Sequence, residues 1–591
     1  MEKSGEKAKK KKNQQMNPGR KALIQGGVCA AASLLWLMFF WNGPGVYFET
    51  NDDRFITEIL SGAVTGEPEA HVVYVNYLLS LPLSLLYRLW GQIPWYGGLL
   101  LLLHLTACGA LFYSAMSRAE GKAELIVLAG LGCCYLLLDM YMTAVLQYTS
   151  TAGLLALAGY GCLLLHRKRK CALSWFFFFE LTAFLLRSQA MLMIQPIGAA
   201  VCLGLCLIER EESFREKCRR TGMAALLVGA AFAVGQAGTL IGYRGADWKE
   251  FNRFNKARTE LFDYYGAPDY EEVKLILDEY GVTQAQYEAF CGFVILDWDD
   301  GFFGSMEEAV ECTEALAAYA KEAHPVSVDV KALLRGQWIT FRSSPAVQTA
   351  WALCFLWVLL FGRFHLLWPI AGAGCARALV WGYLLYRGRA PERVTLPLLA
   401  CEAFLLAALF CRDYAGEKAL EIGWGHRLRI PSAFPALLFC AIFLAGCLAG
   451  DIALYGRAAE NNAKQRIYIE GLVELQEYCR SHPQERYLLD TWSVRFYNGS
   501  PLETRIYGKQ NYVYTGSWFS GSPPMRAALK EYLAEEKEGG RGLCLVVEND
   551  GSGREHCAVS YLTEKLASEP ELVEEIPVSN GGSYLVWRWR R

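Results

Sequence analysis

Apolar residues along the chain come in blocks of about 20, the length a helix needs to cross a bilayer core of about 30 Å. Candidate segments fall at 22–41, 72–90, 96–116, 124–140, 144–165, 171–188, 190–208, 222–242, 346–362, 365–386, 394–411 and 432–450. Polar stretches between them are short, except for 243–344 and everything after about 465. After 465 the pattern changes to short β-rich runs (Tyr487–Trp492, Leu543–Glu548, Tyr584–Trp589) alternating with helix-like stretches (Met525–Glu536, Val559–Ala567), which predicts a small α/β domain.

Charge then assigns sides. The first 21 residues carry eight Lys or Arg and two Glu, and basic runs recur at Arg167–Lys170 and through 209–220. All three belong on the cytoplasmic side by the positive-inside rule. Five candidates lie between the tail and the first basic loop, and an even number of crossings is required. The segment 72–90 is the one that does not span: it holds Asn76, Pro82 and Arg88 and opens beside His71. It reads as an amphipathic helix on the outer surface.

The chain is therefore expected to be an all-α polytopic membrane domain of about 11 transmembrane helices followed by an extracytoplasmic α/β domain. Its expected parts are a basic tail (1–21), a membrane domain (22–450) with outer loops at 42–94 and 243–345, and the C-terminal domain (465–591). Of the 591 residues 53% are hydrophobic and the net charge is only -2, so no global field argues for nucleic acid. The 20 cysteines mostly sit inside apolar segments, and no paired Cys-x-x-Cys pattern points to zinc.

Candidate chemistry gathers at the expected outer ends. Asp52 and Asp53 follow the first apolar segment and offer a general base or a cation ligand, or equally a solvated helix start. Glu180 and Arg187, seven residues apart, would share a helical face, where they either mark a site or neutralise one another. Asp139 and Gln147 lie at an outer entry. Trp248–Tyr270 interleaves aromatics with Asn255, Arg258 and Asp263, a composition suited to stacking on and hydrogen bonding a sugar, or to packing on the membrane domain. Arg387, Arg389 and Arg393 fall outside by parity against the usual rule, which implies a miscount or an anionic ligand. Asp297–Gly301 lacks the ligand order of an EF-hand.

Taken together, the acidic pair Asp52-Asp53, the stretch Gly66-Glu67-Pro68-Glu69-Ala70-His71 leading into a surface helix, the large outer loop and the terminal α/β domain resemble the GT-C superfamily of membrane glycosyltransferases. That group includes the protein O-mannosyltransferases and aminoarabinose transferases. The resemblance implies inverting transfer of a sugar from a polyprenyl-phosphate donor to an envelope polymer, lipid or protein at the outer face of the plasma membrane. It implies Asp52 or Asp53 as base, Arg187, Arg389 and Arg393 on the donor phosphate, and substrate contacts from His71, Asp139, Gln147, Asn255, Arg258 and Asp263. The family's common pair is Asp-Glu, so which carboxylate acts stays open, as does a divalent metal. Rival readings are a transporter of lipid-linked saccharides, for which Arg377 and Glu402 are the deep polar candidates, and a non-catalytic envelope assembly protein.

Overall fold

The computed structural model describes residues 18–117, 119, 122–165, 171–208, 213–294, 305–323, 329–414, 419–422, 428–494, 497–503, 510–539, 543–549, 551 and 555–589. Most of the basic tail, the loop Arg167–Lys170, the start of the 209–220 run and the turn Asp297–Gly301 lie outside the described residues.

Seven described helices are long and apolar enough to cross a membrane, and an eighth results if Val330–Arg342 and Pro345–Phe361, which meet at 90°, count as one. One of the seven, Cys171–Ile208, is 38 residues long and breaks at Arg187, whose φ of -157° and ψ of 97° are extended. Gln195 Nε2 donates to Glu180 Oε2 at 2.8 Å across that break. Fifteen residues of straight helix would separate these groups by about 22 Å, so the chain turns back at Arg187 and forms two antiparallel arms. Tyr160 packs between them, with its ring 5.3 Å from Phe176 and its hydroxyl 2.8 Å from Gln195 Oε1. Each of the eleven segments expected to span coincides with a helix or with one arm of this hairpin, but the expected count of eleven is not reached: Glu124–Leu138 is a shorter apolar helix and Leu367–Tyr386 is not among the described helices long and apolar enough to cross.

The 72–90 segment forms a helix of only 13 residues, Tyr77–Leu89, containing Pro82. Its length of about 20 Å is too short for a bilayer core. Asn76 starts it by accepting from the Leu78 N–H at 3.1 Å, and anchors it by donating to Gly235 O at 2.8 Å.

The first loop is held from both sides. Tyr47–Phe48 pairs in parallel with Val145–Leu146, and Asn462 donates to Gly45 O and Ala144 O at 2.9 and 3.1 Å. The helix Asn51–Ser61 begins immediately afterwards, with Asp52 and Asp53 in its first turn, where carboxylates suit the positive end of the helix.

At the other end of the chain the helix Ala433–Ser481 runs unbroken for 49 residues, through both the expected end of the membrane domain and the expected start of the next. It delivers a five-stranded sheet in the order Tyr512–Tyr514, Arg486–Leu489, Leu543–Glu548, Ser583–Trp589, Pro570–Pro577. The first three strands are parallel and the last two antiparallel. Leu543–Val547 is fully buried, as a central strand with a continuous apolar run should be. Pro570–Pro577 carries no strand signal in the sequence; it is an edge strand rich in Glu, which is how edges resist further pairing.

The C-terminal domain docks onto the first-loop helix. Buried Arg54 donates to the Tyr514 hydroxyl at 3.3 Å, and that hydroxyl donates to Glu58 Oε1 at 3.1 Å. Arg54 and Glu58 face each other at 3.6 Å, and the guanidinium lies 4.6 Å from the Tyr497 ring. The contact is close elsewhere too: a Cβ on Gly97 would fall 1.7 Å from Pro501 O.

Candidate functional site

At the end of the helix bundle where the first loop, the Arg187 turn and the 387–393 connection meet lies a cavity of about 850 Å³. Its walls come from widely separated parts of the chain, among them Asp52, Arg54 and Phe55 of the first-loop helix, Tyr148, the Arg187 turn, the helical region 252–264, the 383–394 connection, and residues between Thr491 and Trp518 of the C-terminal domain. Seven Arg or Lys side chains border it against three Asp or Glu, an imbalance that favours an anionic ligand.

Asp52 and Asp53 separate here. Asp52 borders the cavity. Burial raises its carboxyl above the usual range, while the nearby Arg393 and Arg187 pull it back. Asp53 is turned inward and fully buried; its Oδ1 accepts from the Tyr96 hydroxyl at 2.8 Å and from the Tyr148 N–H at 3.3 Å. Burial holds the Asp53 carboxyl well above the usual range, against those two hydrogen bonds and with the help of neighbouring Asp52 and Glu49. Successive residues on a helix point about 100° apart, which lets Asp52 border the cavity while Asp53 turns toward Tyr96 and the Tyr148 N–H.

Arg187 occupies the turn of the hairpin. It donates to Gln189 Oε1 at 2.9 Å and lies over the rings of Tyr74 and Tyr148 at 4.8 and 5.6 Å. It does not pair with Glu180, because the helix breaks at Arg187 and Glu180 bonds Gln195 instead. Arg389 meets Asp263 at 3.1 Å. Burial works against its charge, but Asp263 outweighs burial and holds the guanidinium charged more firmly than usual. Arg258 is buried and braced by Asn255 Oδ1, which accepts from Nη2 at 2.8 Å and from Nε at 3.2 Å. Glu49, next to the cavity, is pushed up to about 7 by burial against the pull of Arg393.

Of the sequence candidates, Asp52, Arg187, Asn255, Arg258, Asp263, Arg389 and Arg393 border this one cavity. Asp53, His71, Asp139 and Gln147 do not. His71 has both ring nitrogens on acceptors, Glu69 Oε1 at 2.6 Å and Gly242 O at 2.9 Å, and stacks on Trp248 at 4.3 Å, so it staples the first loop to the end of the Phe214–Gly242 helix. Gln147 is buried, its Oε1 accepting from the Thr149 and Ser150 N–H groups at the start of the Tyr148–Leu165 helix. Asp139 is fully buried among helices. Arg377 and Glu402 bond each other, and Trp351 donates to Glu402, away from the cavity.

Sequence reasoning passed over Tyr74, Lys256, Trp492 and Trp518, which also border the cavity. Trp492 and Trp518 arrive from a domain whose task the sequence leaves blank, and only the docking of that domain brings them here.

No protein-family model and no curated protein matches the chain. Among solved structures the chain is similar to ArnT from Cupriavidus metallidurans, crystallised bound to undecaprenyl phosphate, at 11% identity and a TM-score of 0.37, over 95% of this chain and 97% of that one.

Proposed function

We propose that this protein is an inverting membrane glycosyltransferase that moves a sugar from a polyprenyl-phosphate donor to a cell-envelope acceptor at the outer face of the plasma membrane. Asp52 is the base. It takes the proton of the acceptor hydroxyl as that oxygen bonds the anomeric carbon, while the carbon–oxygen bond to phosphate breaks and its electron pair leaves on the phosphate. Arg187, Arg389 and Arg393 hold that phosphate, because a leaving group gaining negative charge needs fixed positive charge in a water-poor site. Asn255, Arg258 and Asp263 contact the sugar, and Trp492 and Trp518 offer ring faces to the acceptor.

The observation that carries this reading is that Asp52 and the three arginines border one cavity at the helix ends, where a lipid-borne phosphate would sit. The test uses full-length protein in vesicles containing radiolabelled polyprenyl-phosphate hexoses and envelope acceptors. Wild type transfers label from one such donor, and Asp52→Asn reduces the rate by roughly 10²- to 10⁴-fold. Wild-type transfer by the Asp52→Asn, Asp53→Asn double variant would sink the mechanism, and label left untouched on every donor would sink the activity.

A further inference from the structure

Inside the helix bundle, away from the cavity, His104, Cys108 and Asp139 bring one ligand atom each to within 4.8 Å of one another. His104 and Cys108 are four residues apart on the helix Trp95–Met116, hence on one face. Asp139 sits in the break between Lys122–Leu138 and Met140–Ala144. His104 Nε2 is 3.2 Å from Asp139 Oδ2, and Cys108 Sγ is 3.0 Å from the same oxygen. A tetrahedral zinc ion with its usual bond lengths would hold such pairs about 3.3–3.5 Å apart, so each ligand needs to move only a few tenths of an ångström relative to Asp139, while the His104–Cys108 pair, within 4.8 Å, closes onto the ion.

We propose that these three residues form a zinc site that pins the turn at 139–147. Two further observations point to a cation. Asp139 Oδ1 is fully buried and has no hydrogen-bond partner, an expensive state for a carboxylate at membrane depth. A second buried carboxylate, Asp451, lies within its electrostatic reach and also has a bare buried oxygen, Oδ2. Two buried carboxylates within electrostatic reach of each other in a low dielectric are stabilised by a cation beside them.

The surrounding residues are arranged as supports for such ligands. His104 Nδ1 meets Thr151 Oγ1 at 3.1 Å, which orients the ring and leaves Nε2 for the ion; Thr143 donates to Asp139 Oδ2 at 2.7 Å; the Tyr135 hydroxyl lies beside the Cys108 thiol. The thiol and imidazole select against magnesium and calcium, which prefer oxygen ligands alone, and for a borderline-soft ion such as zinc. Binding converts the Cys108 thiol to thiolate and releases its proton to water. The three-ligand set leaves the fourth position to water or to Asp139 Oδ1. Placed there, the ion fixes the segment whose Val145–Leu146 pairs with Tyr47–Phe48, and through it the start of the Asn51–Ser61 helix.

The test uses untagged full-length protein in detergent. Metal analysis should find roughly one zinc per chain that survives dialysis against a weak chelator. Exchange with cobalt should produce a thiolate-to-cobalt absorption band that disappears in Cys108→Ser and persists in Cys133→Ser, whose thiol lies elsewhere. Folded, monodisperse wild type holding less than roughly a tenth of an equivalent and giving no cobalt band would overturn the proposal without reference to any variant, as would a band that survives Cys108→Ser. These readouts need no substrate, so they stand or fall separately from the transferase reading.

Discussion

The Tyr96 hydroxyl donates to Asp53 Oδ1 at 2.8 Å, and this bond divides the labour of the acidic pair. With Asp53 committed to Tyr96 and the Tyr148 N–H, the first turn of the Asn51–Ser61 helix is rotated so that Asp52 borders the cavity. Tyr96→Phe should lower stability by about 1–3 kcal/mol, the cost of stripping a buried acceptor of its donor. Asp53→Ala, which removes the acceptor, should lower the melting temperature, whereas Asp52→Asn should leave it within error and slow transfer by roughly 10²- to 10⁴-fold. Thermal unfolding and rate measured on the same preparations separate the two; equal melting losses for both would refute the division.

The pH dependence of transfer should follow Asp52. The rate should rise with pH as its carboxyl loses a proton, with an acidic limb above the ordinary Asp value because burial raises it. Arg393 pulls that value down and Asp263 pushes it up. Arg393→Gln should therefore move the limb to higher pH and Asp263→Asn to lower pH, read as kcat/KM against pH. Shifts of the same sign would reject Asp52 as the titrating group.

Glu49 gives a stability signature. Its carboxyl is raised from 4.5 to about 7 in the fold, so the folded state holds its proton more tightly than the unfolded chain does. Ionisation then costs the fold nothing below about 4.5, progressively more up to about 7, and a constant amount above that. Glu49→Gln should be more stable than wild type at pH 8 and lose that advantage as the pH falls to the bottom of this window. A difference in melting temperature that does not change with pH would contradict it.

The seam between the first-loop helix and the C-terminal domain should depend on the buried Arg54–Glu58 pair, 3.6 Å apart. Glu58→Ala leaves Arg54 charged and unpaired in the interior and should destabilise by about 3–5 kcal/mol. Replacing both partners, as Arg54→Met with Glu58→Leu, should recover much of that loss. Limited proteolysis of the C-terminal domain would report both.

Gly97 and Gly98 make a matched pair. A Cβ at Gly97 would lie 1.7 Å from Pro501 O, whereas one at Gly98 would meet nothing within 4 Å. Gly97→Ala should loosen the same seam. Gly98→Ala should be neutral or stabilise by about 0.5–1 kcal/mol, the helix preference of Ala over Gly.

The many-helix membrane character was legible in the chain, because burial in lipid demands apolar stretches of fixed length; about eleven spans were expected, whereas seven described helices, or eight with the bent pair, are long and apolar enough to cross. Parity and the polar residues Asn76, Pro82 and Arg88 marked 72–90 as the segment that does not span, and the helix it forms, Tyr77–Leu89, is only 13 residues long. The α/β character of the C-terminal region was readable from Leu543–Glu548, but Pro570–Pro577 was not, because an edge strand gains nothing from apolar alternation.

What no local pattern contains is rotation and long-range docking. Arg187 and Glu180 share a face only on a straight helix, and the turn at Arg187 separates them. Asp139 and His104 lie 35 residues apart and meet only where two helices pack. Residue types and spacing therefore determined which side chains reach one end of the bundle. Tertiary packing decided that Asp52 and not Asp53 faces the cavity, through contacts to residues 43 and 95 positions further along, and that Trp492 and Trp518 border it, through docking of a domain hundreds of residues away.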